Sequence, residues 1–197
     1  HSGLKPEQLT SLAALDSTRL QQALALEFGV QQDKVTGAHT YGGHGESMAP
    51  FASSVMIQGT PLTSLIGTDK LTAEQWEEIK QKTIQGGSNI IKLRGRSSFQ
   101  SPAYVSVRMI EAAMGGAEFQ WPAGRYVSFA GIDHIMMAME VTITEKGSAY
   151  EEVVGNEEEM AALQKSYEHV AAMRDECISL GIIPAISEWS TLNPNLK

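Results

Sequence analysis

The sequence predicts an α+β domain of mixed helices with a largely antiparallel sheet. Three observations carry that prediction. Helical and strand periodicities alternate without the regular βαβ rhythm that a parallel sheet requires. Two runs rich in aromatic, β-branched and methionine residues, 119–127 and 134–144, stand close together and read as antiparallel neighbours. The 197 residues suit one domain spanning 1–197, with no internal repeat and no low-complexity linker.

The elements follow in order. Residues 8–15, QLTSLAAL, form a short apolar run that predicts a buried strand. Asp16 or Ser17 then suits a helix N-cap. Leu20, Ala23, Leu24 and Phe28 recur at helical spacing, and Gly29 follows as a stop. Residues 35–41 read as a strand entering a glycine-rich loop. Residues 53–58 read as another, with Gly59-Thr60-Pro61 as its turn. Thr72 with Gln75 matches a capping box, Trp76, Ile79 and Thr83 follow on one face, and Gly86-Gly87 reads as the stop. Residues 89–94 predict a strand, and Gly95-Arg96-Ser97-Ser98 a polar turn.

Pro102 can open the next helix. Val105, Met109 and Ala112 lie on one side of it, and Gly115-Gly116 ends it. Pro122-Ala123-Gly124 and Ala130-Gly131 read as breaks in the strand region. Asn156 caps a long last helix whose first turn carries Glu157, Glu158 and Glu159, at the positive end of the helix dipole. Met160, Leu163, Tyr167, Val170 and Arg174 mark one side of it, and the tail SEWSTLNPNLK reads as polar surface.

Composition excludes several classes. A net charge of -8, with both signs spread along the chain, argues against a nucleic-acid partner. Lys92, Arg94 and Arg96 read as one solvated strand face rather than a basic patch. The single cysteine, Cys177, cannot form an internal disulfide, which predicts a reducing, cytoplasmic setting. No apolar run has membrane-spanning length and no secretory signal is present, so no membrane partner is expected. The chain opens on His1 rather than Met, and HSGLKP reads as interior sequence, which predicts a processed or cut-down chain.

The chemistry concentrates in two segments. TYGGHGESMAP, 40–50, sets His44 among Gly42, Gly43 and Gly45, so the backbone can turn sharply beside a titratable ring. LDSTR, 15–19, supplies a carboxylate, Asp16, and a guanidinium, Arg19, three residues apart. Together they suit a small carboxylate-bearing substrate: His44 as acid–base, Asp16 to fix its tautomer and favour the imidazolium, and Arg19 as carboxylate clamp. The plainer reading is an ordinary loop, a helix cap and a solvated arginine.

His39 and Glu46 could join His44 in a metal site, but no HExxH or cysteine pattern supports one, and none is expected. His134 and His169 read as structural. Ser47 does not complete GxSxG. Met136, Met137 and Met139 read as core. Neither GxGxxG nor GxxxxGKS occurs, because Met48 stands at the last position of the only near match, so no nucleotide-binding unit is recognisable.

The ordered pair LDSTR and YGGHGESMAP resembles the carboxyl-terminal half of the malate and lactate dehydrogenases, where an LDxxR segment precedes a G-G/E-H-G-D segment at about this distance. The resemblance extends through Gly59-Thr60-Pro61-Leu62, Gly86-Gly87, the KLRGRSS turn and the last helix, and covers nearly the whole chain. It implies that family's carboxyl-terminal-domain fold. It also implies His44 as proton donor and acceptor, Asp16 as its orienting carboxylate, Arg19 as clamp, and Ser97 and Ser98 as pocket lining. Gly43, where lactate dehydrogenases usually carry Glu, and Met48 lean toward malate dehydrogenase. Glu46 departs from the usual Asp, and Ala49 and Phe51 from the usual apolar choices.

The resemblance further implies an NAD cofactor, malate and oxaloacetate as substrates, and a homo-oligomer. Family enzymes are longer by about one dinucleotide-binding domain. That domain binds NAD and carries the mobile loop whose arginines polarise the substrate carbonyl, and it is missing here. The chain alone is therefore expected to be inactive, with no cofactor-binding residues of its own. Two alternatives stay open: a domain acting on lactate or another 2-hydroxy acid, and a non-catalytic binding or assembly module.

Overall fold

Helix formation begins earlier than the predicted cap. In a computed structural model, which describes residues 3–129 and 131–196, α1 spans Ala14–Glu27 with Ala13 as its N-cap. Asp16 is therefore inside the first turn and does not cap the helix, although its charge still sits at the positive end of the dipole. The predicted strand at 8–15 is also absent. Only Ser11 makes a bridge, to Gly124, because Ala14 and Leu15 are drawn into the helix. His1, Ser2, Ala130 and Lys197 lie outside the described residues, so the opening at His1 and half of the Ala130-Gly131 break fall there.

The predicted 35–41 strand is split. β1 (Val35–Thr36) and β2 (Thr40–Gly42) join different sheets, because Gly37, at φ +65, turns the chain between them. β3 (Met48–Pro50) returns antiparallel to β2, with Gly42 opposite Met48. Of the predicted 53–58 strand only β4 (Met56–Ile57) forms. It pairs with β1 on one side and β5 (Thr60–Pro61) on the other, around a turn at Gln58-Gly59.

Leu20 and Leu24 of α1, fully buried, pack with Val35, Leu62, Leu71 and Ile79 in a core beneath this small sheet. Leu24→Ala should cost about 2–5 kcal/mol. Urea unfolding with an unchanged m-value would register that loss; an unchanged midpoint would show that this core is not as close-packed as described.

Capping chemistry sets α2 (Ala73–Ile84) as the sequence predicts, with Thr72 and Gln75 bonded reciprocally and Trp76, Ile79 and Thr83 buried. The predicted strand at 89–94 is overturned. Gly86-Gly87 does not stop the chain but opens α3 (Gly86–Arg94). Gln85 keeps helical dihedrals (φ -82, ψ -3) and its carbonyl accepts the Asn89 N–H at 2.9 Å, so one helix runs into the next. Lys92 and Arg94 occupy the last turn, where cations suit the dipole, and are no strand face.

α4 (Gln100–Ala113) buries Val105, Met109 and Ala112 as predicted, with Pro102 in its first turn. The long hairpin of β6 (Phe119–Phe129) and β7 (Ile132–Thr144) is also as predicted, but residues 122–124 do not break it. Pro122 pairs with Glu140 inside an edge strand, where a missing N–H can face away from the ladder. β8 (Gly147–Glu151), which sequence patterning misses, adds to β7.

The larger sheet thus runs β3-β2-β7-β6, with β8 also on β7. α5 (Glu157–Ser179), capped by Asn156, lies against β7, β3 and β2. The tail is more structured than a polar surface: it forms α6 (Ile186–Leu192), and buried Asn193 donates to the Leu4 carbonyl at 2.8 Å.

Candidate active site

One small polar contact docks the chemistry-bearing segments on each other, and a glycine turn completes the approach. Ser17, fully buried on α1, accepts the Thr40 N–H at 3.0 Å and so docks the first turn of α1 on the start of β2. β2 ends at Gly42, which takes φ +86; a Cβ there would lie 2.2 Å from Ser166 Oγ on α5, so only glycine fits. Beyond this turn His44 takes an extended conformation, and a 3-10 turn, Gly45–Ser47, leads into β3. Asp16, one residue before Ser17, then faces His44.

The result is a three-residue chain of charge-assisted contacts. His44 Nδ1–H donates to Asp16 Oδ2 at 2.6 Å. Arg19 Nη1 donates to the other oxygen, Oδ1, at 2.5 Å. The Asp16 side chain is only 4% exposed, so its carboxylate depends on these two donors for the solvation that burial removes. The His44 side chain, by contrast, is 75% exposed. With Nδ1 engaged, its Nε2 edge has no hydrogen-bond partner among the described residues.

Arg19, which the resemblance implies as the carboxylate clamp, has one nitrogen held by Asp16, and the rest of its fork is uncommitted among the described residues. A guanidinium has five N–H donors, so this pairing orients the fork and leaves donors for a carboxylate.

His44 and Arg19 open on one groove of about 430 Å³. Ser97 and Ser98 line it from the segment between α3 and α4, as the resemblance implied, and Glu46 stands at its rim. Leu12, Leu15 and Ile84 give it an apolar wall. Ile91, which lines it, and Leu93 and Phe99 of the same α3–α4 segment remain exposed.

Residues 13–178 match the family described as the lactate/malate dehydrogenase alpha/beta C-terminal domain. The chain belongs to this family. Malate dehydrogenase from Plasmodium falciparum superposes with a TM-score of 0.83 at 25% identity, over 91% of this chain and 58% of that one. Malate dehydrogenase from Salinibacter ruber gives 0.81 at 28% identity, over 91% and 58%. Lactate dehydrogenase from Cryptosporidium parvum, solved with lactic acid and nicotinamide adenine dinucleotide, gives 0.83 at 29% identity, over 93% and 58%. The chain spans 58% of the length of these three dehydrogenases.

Within this dehydrogenase-family domain, Arg19, His44, Ser97 and Ser98 line one groove, and Asp16 is buried behind the first two. His39 does not join His44. Its Nδ1 lies 2.7 Å from Glu140 Oε2, which also accepts the Tyr41 hydroxyl at 2.9 Å. Among the described residues no cluster of three or more histidine, cysteine or acidic side chains is placed to hold a metal. His134 is tied to Tyr126, with 2.8 Å between Nδ1 and the hydroxyl. His169 is exposed on α5 rather than structural. Met137 and Met139 are buried as predicted, but Met136 is 39% exposed.

The Glu140 cluster has a pH consequence. Burial alone would raise the Glu140 carboxyl, but the hydrogen bond and charge of His39, with the Tyr41 hydroxyl, outweigh it and hold it below the ordinary glutamate value of 4.5. Burial first, then the Glu140 charge, pushes the Tyr41 phenol up. A depressed carboxyl contributes stability above its unfolded value and loses it as pH falls through the folded one. Wild-type protein should therefore lose stability below about pH 4.5 more steeply than Glu140→Gln; parallel acid-unfolding curves would contradict this.

Sequence reasoning missed Ser17, Ser166 and Glu159, which hold the site from behind. Single serines carry no motif. Glu159 reads in the sequence as a first-turn charge, which shows neither its bond back to Asn156 nor its grip on the Ala52 and Ser53 N–H groups at 2.6 and 2.9 Å.

Proposed function

We propose that this chain is the substrate domain of an NAD-dependent malate dehydrogenase, interconverting malate and oxaloacetate. The observation that carries the reading is the buried Asp16 carboxylate, bonded at once to His44 and Arg19 at the edge of a shared groove. His44 Nε2 takes the hydroxyl proton of the 2-hydroxy acid during oxidation and returns it to the carbonyl during reduction. Asp16 keeps Nδ1 protonated and stabilises the imidazolium. Arg19 holds the carboxylate next to the reacting carbon through its free donors. Ser97 and Ser98 offer hydroxyls to the remaining oxygens.

NAD, when bound, supplies the hydride acceptor. The chain carries no dinucleotide fingerprint, so its own residues are assigned to the substrate and not to the cofactor. A further domain holding NAD would cover the exposed Ile91, Leu93 and Phe99. This assignment rests on the 58% span and on that apolar margin.

Malate is preferred over lactate because of Gly43. Lactate dehydrogenases usually carry Glu at this position; a Cβ here would lie 2.2 Å from Ser47 Oγ and 3.0 Å from Val170 Cγ2, so a larger side chain needs Ser47 to turn away. The test is steady-state kinetics. The isolated chain should show no NAD-dependent oxidation of malate above a buffer blank. The complete enzyme should show a higher kcat/KM for malate than for lactate. Turnover by the isolated chain would overturn the domain assignment, and a preference for lactate would overturn the substrate.

A further inference from the structure

The groove explains what His44 faces, but not what aims it. The imidazole stands on a turn flanked by glycines and is largely exposed, so its direction has to be set by the backbone behind it. That backbone is gripped by α5 at two places on one helical face. Near the helix start, Glu159 accepts the Ala52 and Ser53 N–H groups just after β3. Two turns on, Ser166 accepts the Gly43 N–H at 2.8 Å, immediately before His44. Ser166 is 3% exposed, and fully buried Leu163 lies between the two grips.

We propose that Ser166 is a positioning residue for His44: its hydroxyl fixes the Gly43 peptide and thereby the direction in which the imidazole meets Asp16. The turn is built around this hydroxyl. A Cβ at Gly42 would meet Ser166 Oγ at 2.2 Å, and one at Gly43 would meet Val170 Cγ2 at 3.0 Å, so α5 approaches the backbone as closely as glycine allows. On the other side, Ser47 donates to the His44 carbonyl at 3.2 Å. The Gly42–Gly43 peptide, one residue ahead of His44, and the peptide that follows His44 are thus each held by a serine. Without Ser166 the Gly43 N–H, in a part-buried setting, loses its partner and the two glycines regain their freedom. The 2.6 Å contact from His44 to Asp16 then has only its own strength to hold the ring.

The proposal rests on the reading of His44 as the acid–base group, and its test separates the two. Ser166→Ala is compared with Ser148→Ala. Ser148 is an equally buried serine on β8 that donates to the Glu7 carbonyl at 2.9 Å and is remote from the groove. On the 197-residue chain, hydrogen exchange of the Gly43 amide and the NMR signal of the His44 Nδ1 proton are recorded. In the complete enzyme, kcat and KM for malate are measured.

Ser166→Ala should expose the Gly43 amide to faster exchange and shift or broaden the His44 Nδ1 signal. It should also lower kcat by about 10- to 100-fold with a much smaller change in KM. Ser148→Ala should lose comparable stability and leave both NMR signals unmoved. A folded Ser166→Ala protein whose Gly43 exchange and His44 signal match those of Ser148→Ala would overturn the proposal. A moved His44 signal with unchanged turnover would support the positioning role and count instead against His44 as the acid–base group.

Discussion

Replacing His44 by Asn should lower kcat of the complete enzyme by about 10²- to 10⁴-fold, the usual contribution of a positioned acid–base group. Asparagine approximates the volume and keeps a donor for Asp16, but it cannot carry a proton. Because the His44 side chain is 75% exposed, folding stability should move by no more than about 0.5 kcal/mol. NAD affinity should stay close to wild type, since the ring is committed to Asp16 and the substrate groove. Steady-state kinetics with a direct NAD titration check this. A loss of NAD affinity that matches the loss of rate would reassign His44 to cofactor binding.

Arg19→Leu should be nearly as damaging, for two separable reasons. It removes the fork that holds the substrate carboxylate, which should cost about 2–5 kcal/mol in kcat/KM, or roughly 30- to 4,000-fold. It also takes from the buried Asp16 one of its two donors, which should lower stability by about 1–3 kcal/mol. Arg19→Lys keeps a charge but not the planar fork. It should recover most of the stability while leaving kcat/KM well below wild type. Thermal unfolding and kinetics on the same two proteins separate these effects. Full kinetic recovery by lysine would show that charge alone, and not the fork, matters at this position.

The parts of the fold legible in the sequence are those where local chemistry and tertiary packing agree. The Thr72–Gln75 capping box and the Asn156 cap mark their helix starts because the side chains satisfy backbone groups within the same turn. The β6–β7 hairpin is legible because its long apolar runs have no competing helical period. Where local signals conflict with context, reading fails. Gly86-Gly87 has the composition of a stop, yet the chain keeps helical dihedrals through it. The 35–41 run has strand composition, but one turn at Gly37 divides it between two sheets.

The groove was legible through side chains whose chemistry is scarce: one histidine among glycines, one Asp–Arg pair a helical turn apart. Its supports were not. Ser17 and Ser166 act through single backbone bonds across 23 and 123 residues of sequence, and no local pattern encodes such a partner. The Asp16–Arg19 ion pair was within reach, since residues three apart on a helix are neighbours. It orients the clamp before any substrate arrives.

The most direct test of the central claim is a crystal structure of the complete enzyme with NAD and hydroxymalonate, a dead-end analogue carrying the carboxylates and hydroxyl of the substrate. One carboxylate should lie against the Arg19 fork while Nη1 keeps its bond to Asp16, and the hydroxyl should sit about 2.6–3.2 Å from His44 Nε2. An analogue bound away from this groove, or bound in it with its hydroxyl out of reach of His44, would contradict the assignment.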